Sequence, residues 1–223
     1  MRAASSTMQA SLIRADALVA SPWKNGGGVT REIAAHPLRE RAGHGALDAF
    51  AWRVSVADVA DAGPFSRFPG IDRTLVLLAG AGMTLVDTGG ARHALRAPLD
   101  RVAFAGEAAI AAELHDGPTR DFNLMTRRDA ARGSVDVWRS GASHALRADT
   151  VLLFCASGAP VVDLGVDLGV DLGVGARVAL GACDTLRIDA CAHGEFRCAI
   201  RGEGVLLAVG VTLLQDNAQG SIE

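Results

Sequence analysis

Arg73–Asp87, RTLVLLAGAGMTLVD, and Asp149–Asp163, DTVLLFCASGAPVVD, align without a gap. Thr74 falls on Thr150, Leu77 on Leu153, Gly82 on Gly158, Val86 on Val162 and Asp87 on Asp163, and most other positions exchange like for like. The match resumes with Ala91–Leu95 (ARHAL) against Ala176–Leu180 (ARVAL) once nine residues are inserted in the second copy. Each copy is a short apolar run, a glycine turn, a second run, a loop and a third run. This is the pattern of β-strands rather than of an amphipathic helix.

Working outward, the same punctuation recurs. Val29–Ala35, Ala51–Val56, Thr74–Leu78, Met83–Asp87, Ala108–Leu114, Phe122–Thr126, Thr150–Phe154 and Val205–Val209 read as strands. Asn25-Gly26-Gly27-Gly28, Gly89-Gly90, Asp116-Gly117-Pro118 and Ser157-Gly158 supply the turn residues between apolar runs. Arg39–Asp48 is polar and aperiodic, hence a surface loop. Val162–Gly173 repeats VDLG three times where a hairpin tip belongs. It reads as a tolerated loop duplication in preference to an acidic cation turn, because loop length costs little entropy. Two copies of one β unit predict an all-β chain of two jelly-roll barrels, one over residues 11–128 and one over 129–223. Strands are free to be shared between the two, since closing a sheet removes its edges.

Composition narrows the function. The 223 residues carry 22 basic and 25 acidic side chains, a net charge of −3, with no basic block, so nucleic acid is not an expected partner. Apolar residues make up 49 % of the chain, yet nothing approaches the roughly 20 continuous apolar residues of a membrane helix. Met1–Ala10 lacks the apolar core of a secretory signal, from which a cytoplasmic location is expected. Cys155, Cys183, Cys191 and Cys198 include no CxxC pair and read as free thiols. There is no tyrosine, and no GxSxG elbow is present. His36, His44, His93, His115, His144 and His193 are isolated, with no HxH pair to gather a metal, so no metal and no cofactor are expected.

Three polar stretches stand out. In Pro22-Trp23-Lys24-Asn25-Gly26-Gly27-Gly28-Val29-Thr30-Arg31-Glu32 the glycine amides, with Lys24 and Asn25, offer donors to an anion; the alternative is a glycine hairpin packed under Trp23. Ala51–Val56 alternates, placing Trp52, Val54 and Val56 on one face and Arg53 with Ser55 on the other. Arg53 is either a barrel-lining cation waiting for a carboxylate or an outward, solvated one. Around Phe65–Arg73, Arg67 and Arg73 either close a pocket or pair at the surface with Asp61 and Asp72. Asp121 and Asn123 are two apart, on one strand face, where they could orient a polar ligand.

Taken together, WKNGGGVTRE, WRVS, GPFSRFPGIDR and GPTRDFNLMTRR occur in the order and spacing of the HutD/Ves family of bacterial cupin-like proteins, which this chain resembles strongly over Leu12–Arg128 and weakly beyond. The resemblance implies a bicupin of the RmlC-like jelly-roll type without the usual metal ligands, a cytoplasmic location and an association with histidine utilisation. Its motif positions fall on Trp23, Lys24, Asn25, Gly26, Gly27, Gly28 and Thr30, on Trp52, Arg53 and Ser55, on Phe65, Ser66, Gly70 and Arg73, and on Asp121, Phe122 and Asn123.

The expected function is accordingly binding of a small carboxylate metabolite, such as urocanate or formiminoglutamate, with Arg53 or Arg73 as clamp. Trp23, Lys24, Asn25, Gly26, Gly27, Thr30, Ser55 and Asn123 complete the expected ligand-binding set, with no catalytic residue named. A metal-independent isomerase or epimerase and a protein-interaction scaffold are the alternatives. No membrane partner is expected, and a homodimer is compatible with paired barrels.

Overall fold

The computed structural model describes residues 8–38, 49–164, 171–172, 177–189 and 195–214. Arg39–Asp48, most of the VDLG repeat and Cys191 lie outside these residues. All eight runs expected as strands contain strands: seven are matched or extended by up to four residues at an end, as in Gly28–Pro37, Phe50–Val59, Ile71–Ala79, Met83–Asp87 and Thr119–Arg127, whereas the run expected over Ala108–Leu114 begins two residues later, at Ile110. The described residues include one three-residue helical turn, Ala15–Ala17. No helix among them is long and apolar enough to cross a membrane.

Chain contacts divide the protein into two compact units, one of Val19–Arg132 and one of Gly133–Thr212 joined by the N-terminal residues up to Leu18. In the first unit a six-stranded sheet runs in the order Ala20–Pro22, Gly28–Pro37, Phe50–Val59, Thr119–Arg127, Ile71–Ala79, Arg101–Ala105. A four-stranded sheet runs Gly63–Pro64, Ile110–Leu114, Met83–Asp87, Arg92–Leu95. Leu75 and Leu77 of the larger sheet and Met83, Leu85, Leu95, Ile110 and Ala112 of the smaller bury their side chains in one apolar cluster.

The second unit repeats the scheme. Thr150–Gly158 lies between Gly204–Leu213 and Thr185–Asp189 in a six-stranded sheet, as Ile71–Ala79 lies between Thr119–Arg127 and Arg101–Ala105. Val161–Asp163 pairs with Arg177–Ala179 in a four-stranded sheet, as Met83–Asp87 pairs with Arg92–Leu95. The aligned segments of the repeat therefore hold equivalent places. One strand is not local: Gln9–Ile13 pairs antiparallel with Thr185–Asp189. Asp184 fastens the turn that follows, accepting from Arg14 Nη1 at 2.7 Å, the Ala15 amide at 2.9 Å and the Gly181 amide at 2.9 Å.

The turns behave as their residues demand. Gly90 (φ 85°) closes the Gly89-Gly90 hairpin and Gly158 (φ 78°) ends the strand before Val161. At Gly158 a Cβ would lie 2.4 Å from the Glu203 carbonyl oxygen, so only glycine fits. Cys155 and Cys198 are buried free thiols, and Cys183 is a half-buried one. Burial pushes the Cys155 thiol up to about 11 and that of Cys198 up to about 12.

Candidate functional site

The larger sheet of the first unit is two-faced in chemistry. Trp52, Val54, Val56, Phe122 and Leu124 occupy one face and are buried. The other face carries polar side chains in three cross-strand rungs. The first is Ala35, Arg53, Met125 and Arg73; the second Glu32, Ser55, Asn123 and Leu75; the third Thr30, Ala57, Asp121 and Leu77. Alternation sets this pattern, with one adjustment. A bulge at Ile33–Ala34 opposite Val54 shifts the parity, so that Thr30, Glu32 and Ala35 all face the same way.

These rungs line a cavity of about 830 Å³. Trp23, Lys24, Asn25, Thr30, Arg53, Ser55, Arg73 and Asn123, eight of the expected ligand-binding residues, surround it, together with Glu32 and Asp121. Gly26 and Gly27 do not line it. The Gly26 amide donates to the Trp23 carbonyl at 3.0 Å and the Gly27 amide to Asn25 Oδ1 at 3.1 Å, while the Gly27 carbonyl accepts from the Ala60 amide. Their donors close the hairpin and are not presented to an anion. Gly28 makes the hairpin possible: a Cβ there would meet the Asp58 carbonyl at 2.5 Å and the Trp23 ring at 3.2 Å. Trp23, so seated, donates from Nε1 to Thr30 Oγ1 at 2.8 Å and meets Phe65 edge-on at 6.3 Å.

Arg73 is the central group. Only 7 % of it is exposed, and its guanidinium carbon lies 5.4, 5.6 and 5.0 Å from the ring centres of Phe65, Phe68 and Phe104. The rings' electron-rich faces favour the cation. One long hydrogen bond, 3.4 Å, runs from Nη1 to the Ser66 carbonyl, and Nε has no hydrogen-bond partner. Burial lowers the Arg73 pKa to about 10, partly offset by Asp121 and reinforced by Arg53. The surface pairing weighed for this arginine does not occur, since Asp72 is taken by Arg128 at 2.6 Å. Arg53 finds a carboxylate inside the site, donating from Nε to Glu32 Oε2 at 2.7 Å.

Asp121 is the residue that sequence reasoning noticed but left out of the expected binding set. It is 1 % exposed, and no hydrogen bond reaches either carboxylate oxygen. Burial pushes its pKa up to about 7; the Arg73 charge opposes that shift and Asp58 adds to it. Asn123, 6 % exposed, holds an Oδ1 that also has no hydrogen-bond partner. Buried polar groups are normally paired, and several unpaired atoms around one cavity mark a place built for a polar occupant. At the register-matched positions of the second unit, Ala208 stands opposite Leu153 and Gly210 opposite Val151, where Asp121 and Asn123 stand opposite Leu77 and Leu75. The polar cluster belongs to the first unit. Among the described residues no three His, Cys, Asp or Glu side chains converge as a metal site would require.

The sequence pattern of the HutD family matches residues 15–208. An uncharacterised 21.2 kDa protein of the hutC 3′ region of Pseudomonas putida is 41 % identical over 150 residues, covering 67 % of this chain and 75 % of that protein. Protein Ves of Cronobacter sakazakii is 43 % identical over 116 residues, 52 % of this chain and 59 % of that protein. Among solved structures, HutD of Pseudomonas fluorescens SBW25 is 32 % identical with a TM-score of 0.75, covering 92 % of this chain and 100 % of that one. The fold is all-β and cupin-like, and the chain belongs to the HutD/Ves family.

Proposed function

We propose that this protein binds a small carboxylate metabolite in the cavity of its first unit, with Arg73 as anchor and Arg53 beside it. The supporting observation is Arg73 itself: a desolvated guanidinium in an aromatic surround, with a free Nε donor and no hydrogen-bonded carboxylate. Guanidinium and carboxylate match through two parallel hydrogen bonds, which makes such an anion the natural counterpart. The relative from Pseudomonas fluorescens was studied in a formate condition, and the one from Pseudomonas putida is named for the hutC 3′ region. Both accord with a carboxylate of histidine utilisation, urocanate or formiminoglutamate, and with a modulating role there.

In this reading the two units are paired cupin barrels of a cytoplasmic bicupin, the first sensing the ligand, and a homodimer would suit them. A second reading, metal-independent acid–base catalysis of the isomerase type, rests on Asp121, whose pKa near 7 suits proton transfer at neutral pH.

A thermal-shift series with urocanate, formiminoglutamate, formate, histidine and unrelated carboxylates, with and without chelator, tests the proposal. A ligand at 100 times its dissociation constant stabilises by about 2.7 kcal/mol. A chelator-insensitive rise with one of these carboxylates, lost in Arg73→Met, is expected; no rise with any of them would overturn the reading.

A further inference from the structure

Two thiols meet at one corner of the second unit, away from the cavity of the first. Cys155 lies in the strand Thr150–Gly158, and Cys183 in the turn of residues 181–184 that leads into Thr185–Asp189. The Cys183 amide donates to the Cys155 carbonyl at 2.8 Å, the Cys155 amide to the Asp184 carbonyl at 2.9 Å, and the Asp184 amide to the Gly181 carbonyl at 3.0 Å. The first of these bonds keeps the two α-carbons within about 6.7 Å of each other, inside the roughly 4.4–6.8 Å that disulfides span. The sulfurs also feel one another: after burial, the largest influence raising the Cys155 pKa is the charge of Cys183, ahead of that of Asp184.

The first unit builds the same corner without sulfur. There the Leu99 amide donates to the Leu77 carbonyl at 2.8 Å, the Leu77 amide to the Asp100 carbonyl at 2.9 Å, and the Asp100 amide to the Ala97 carbonyl at 3.0 Å. Leu99 (φ 77°) and Cys183 (φ 65°), the non-glycine residues at positive φ among the described residues, hold the equivalent place. Leucines at both positions satisfy this corner, so the fold itself asks only for apolar side chains. Cys183 is half-buried and Cys155 fully buried, as suits an entry thiol beside a sheltered resolving one.

We propose that Cys155 and Cys183 form a reversible disulfide, a redox-responsive staple of the second unit. The oxidant is a low-molecular-weight disulfide of the glutathione type. The Cys183 thiolate attacks it, one external thiolate leaves, and Cys183 is held as a mixed disulfide. Cys155 then gives its proton to solvent and attacks the Cys183 sulfur, releasing the second external thiolate. Two protein thiols are oxidised and one external disulfide is reduced to two thiols. Asp184 of the same turn holds Arg14 and Ala15. The staple therefore fixes the clasp of the N-terminal strand to Thr150–Gly158 and closes the chain bearing the VDLG repeat into a loop.

The test equilibrates the full chain in buffers of graded glutathione to glutathione-disulfide ratio, quenches with acid, alkylates in denaturant and maps the cysteines by mass spectrometry. A peptide linking Cys155 to Cys183, lighter by two hydrogens and restored by reduction, is expected, with Cys198 still a thiol. In Cys155→Leu, which takes the first unit's residue, Cys183 should stop at the mixed disulfide; in Cys183→Leu, Cys155 should stay reduced. The oxidised chain should release its N-terminal strand to protease severalfold more slowly than the reduced one. Both thiols staying reduced across the whole range, arrest of the unaltered protein at the mixed disulfide, or linkage of either thiol to Cys191 or Cys198 would overturn the proposal. Equal proteolysis of the two forms would overturn the coupling to the N-terminal strand.

Discussion

Asp121→Asn removes one ionisable group from the cavity and leaves its shape. In the folded protein the Asp121 carboxyl has a pKa near 7, against an ordinary value of 3.8. The folded state thus holds its proton while the unfolded chain has released it, and between these values stability falls as pH rises. The difference between these two values corresponds to on the order of 4 kcal/mol. The contribution is absent below the ordinary value and fully felt above about pH 7. Asparagine carries no such slope. Urea denaturation of both proteins from about pH 4 to about pH 8 cancels the carboxylates they share. The variant should gain on the parent progressively, reaching on the order of 4 kcal/mol at the alkaline end. A constant difference, or a parent that gains with rising pH as a carboxylate paired to Arg73 would make it, refutes the claim that desolvation outweighs the Arg73 charge.

Gly28→Ala drives a Cβ to 2.5 Å from the Asp58 carbonyl and against Trp23; it should cost roughly 2 kcal/mol or more in denaturant titrations and shift the tryptophan emission as Trp23 is displaced. Asp184→Ala strands the amides of Ala15 and Gly181 and the Arg14 guanidinium, for a loss of about 3 kcal/mol and early proteolytic release of the N-terminal strand. Burial raises the Asp184 pKa, but those three donors outweigh it and leave it lowered. Its contribution is therefore present above the ordinary carboxylate range and lost as pH falls below it. Cys155 and Cys198, with thiol pKa values pushed up to about 11 and about 12, should resist iodoacetamide at neutral pH and label on unfolding, as mass spectrometry would read. Rapid native labelling of either would contradict their burial.

Much of the fold was legible because the strands of the repeat are short, apolar and bounded by glycine: Thr74–Leu78 and Thr150–Phe154 needed no partner to be recognised. Ser143–Leu146 (SHAL) and Arg101–Ala105 (RVAFA) were not, since runs this short, with no glycine or proline directly bounding both ends, are fixed as strands by the neighbours they pair with. Nor was the pairing of Gln9–Ile13 with Thr185–Asp189, whose partners lie far apart in sequence. In the site, alternation separated Arg53 and Ser55 from Trp52 and Val54 but could not say which face encloses the cavity. Arg73 therefore remained divided between pocket and surface. Glu32 was missed because the bulge at Ile33–Ala34 breaks the two-residue period just beyond it. The glycine run was ambiguous for a different reason: the same amides that can hold an anion can close a hairpin, and only their partners decide.

The central claim, that Arg73 anchors a carboxylate, is tested most directly by calorimetric titration of imidazoleacrylate into the full chain and into Arg73→Met, whose side chain keeps much of the volume without the charge. Removing one partner of a buried charge pair costs 2–5 kcal/mol. The account therefore predicts binding by the unaltered protein, weakened by about thirtyfold or more in a variant that still melts cooperatively. Equal affinity in the two proteins would contradict it.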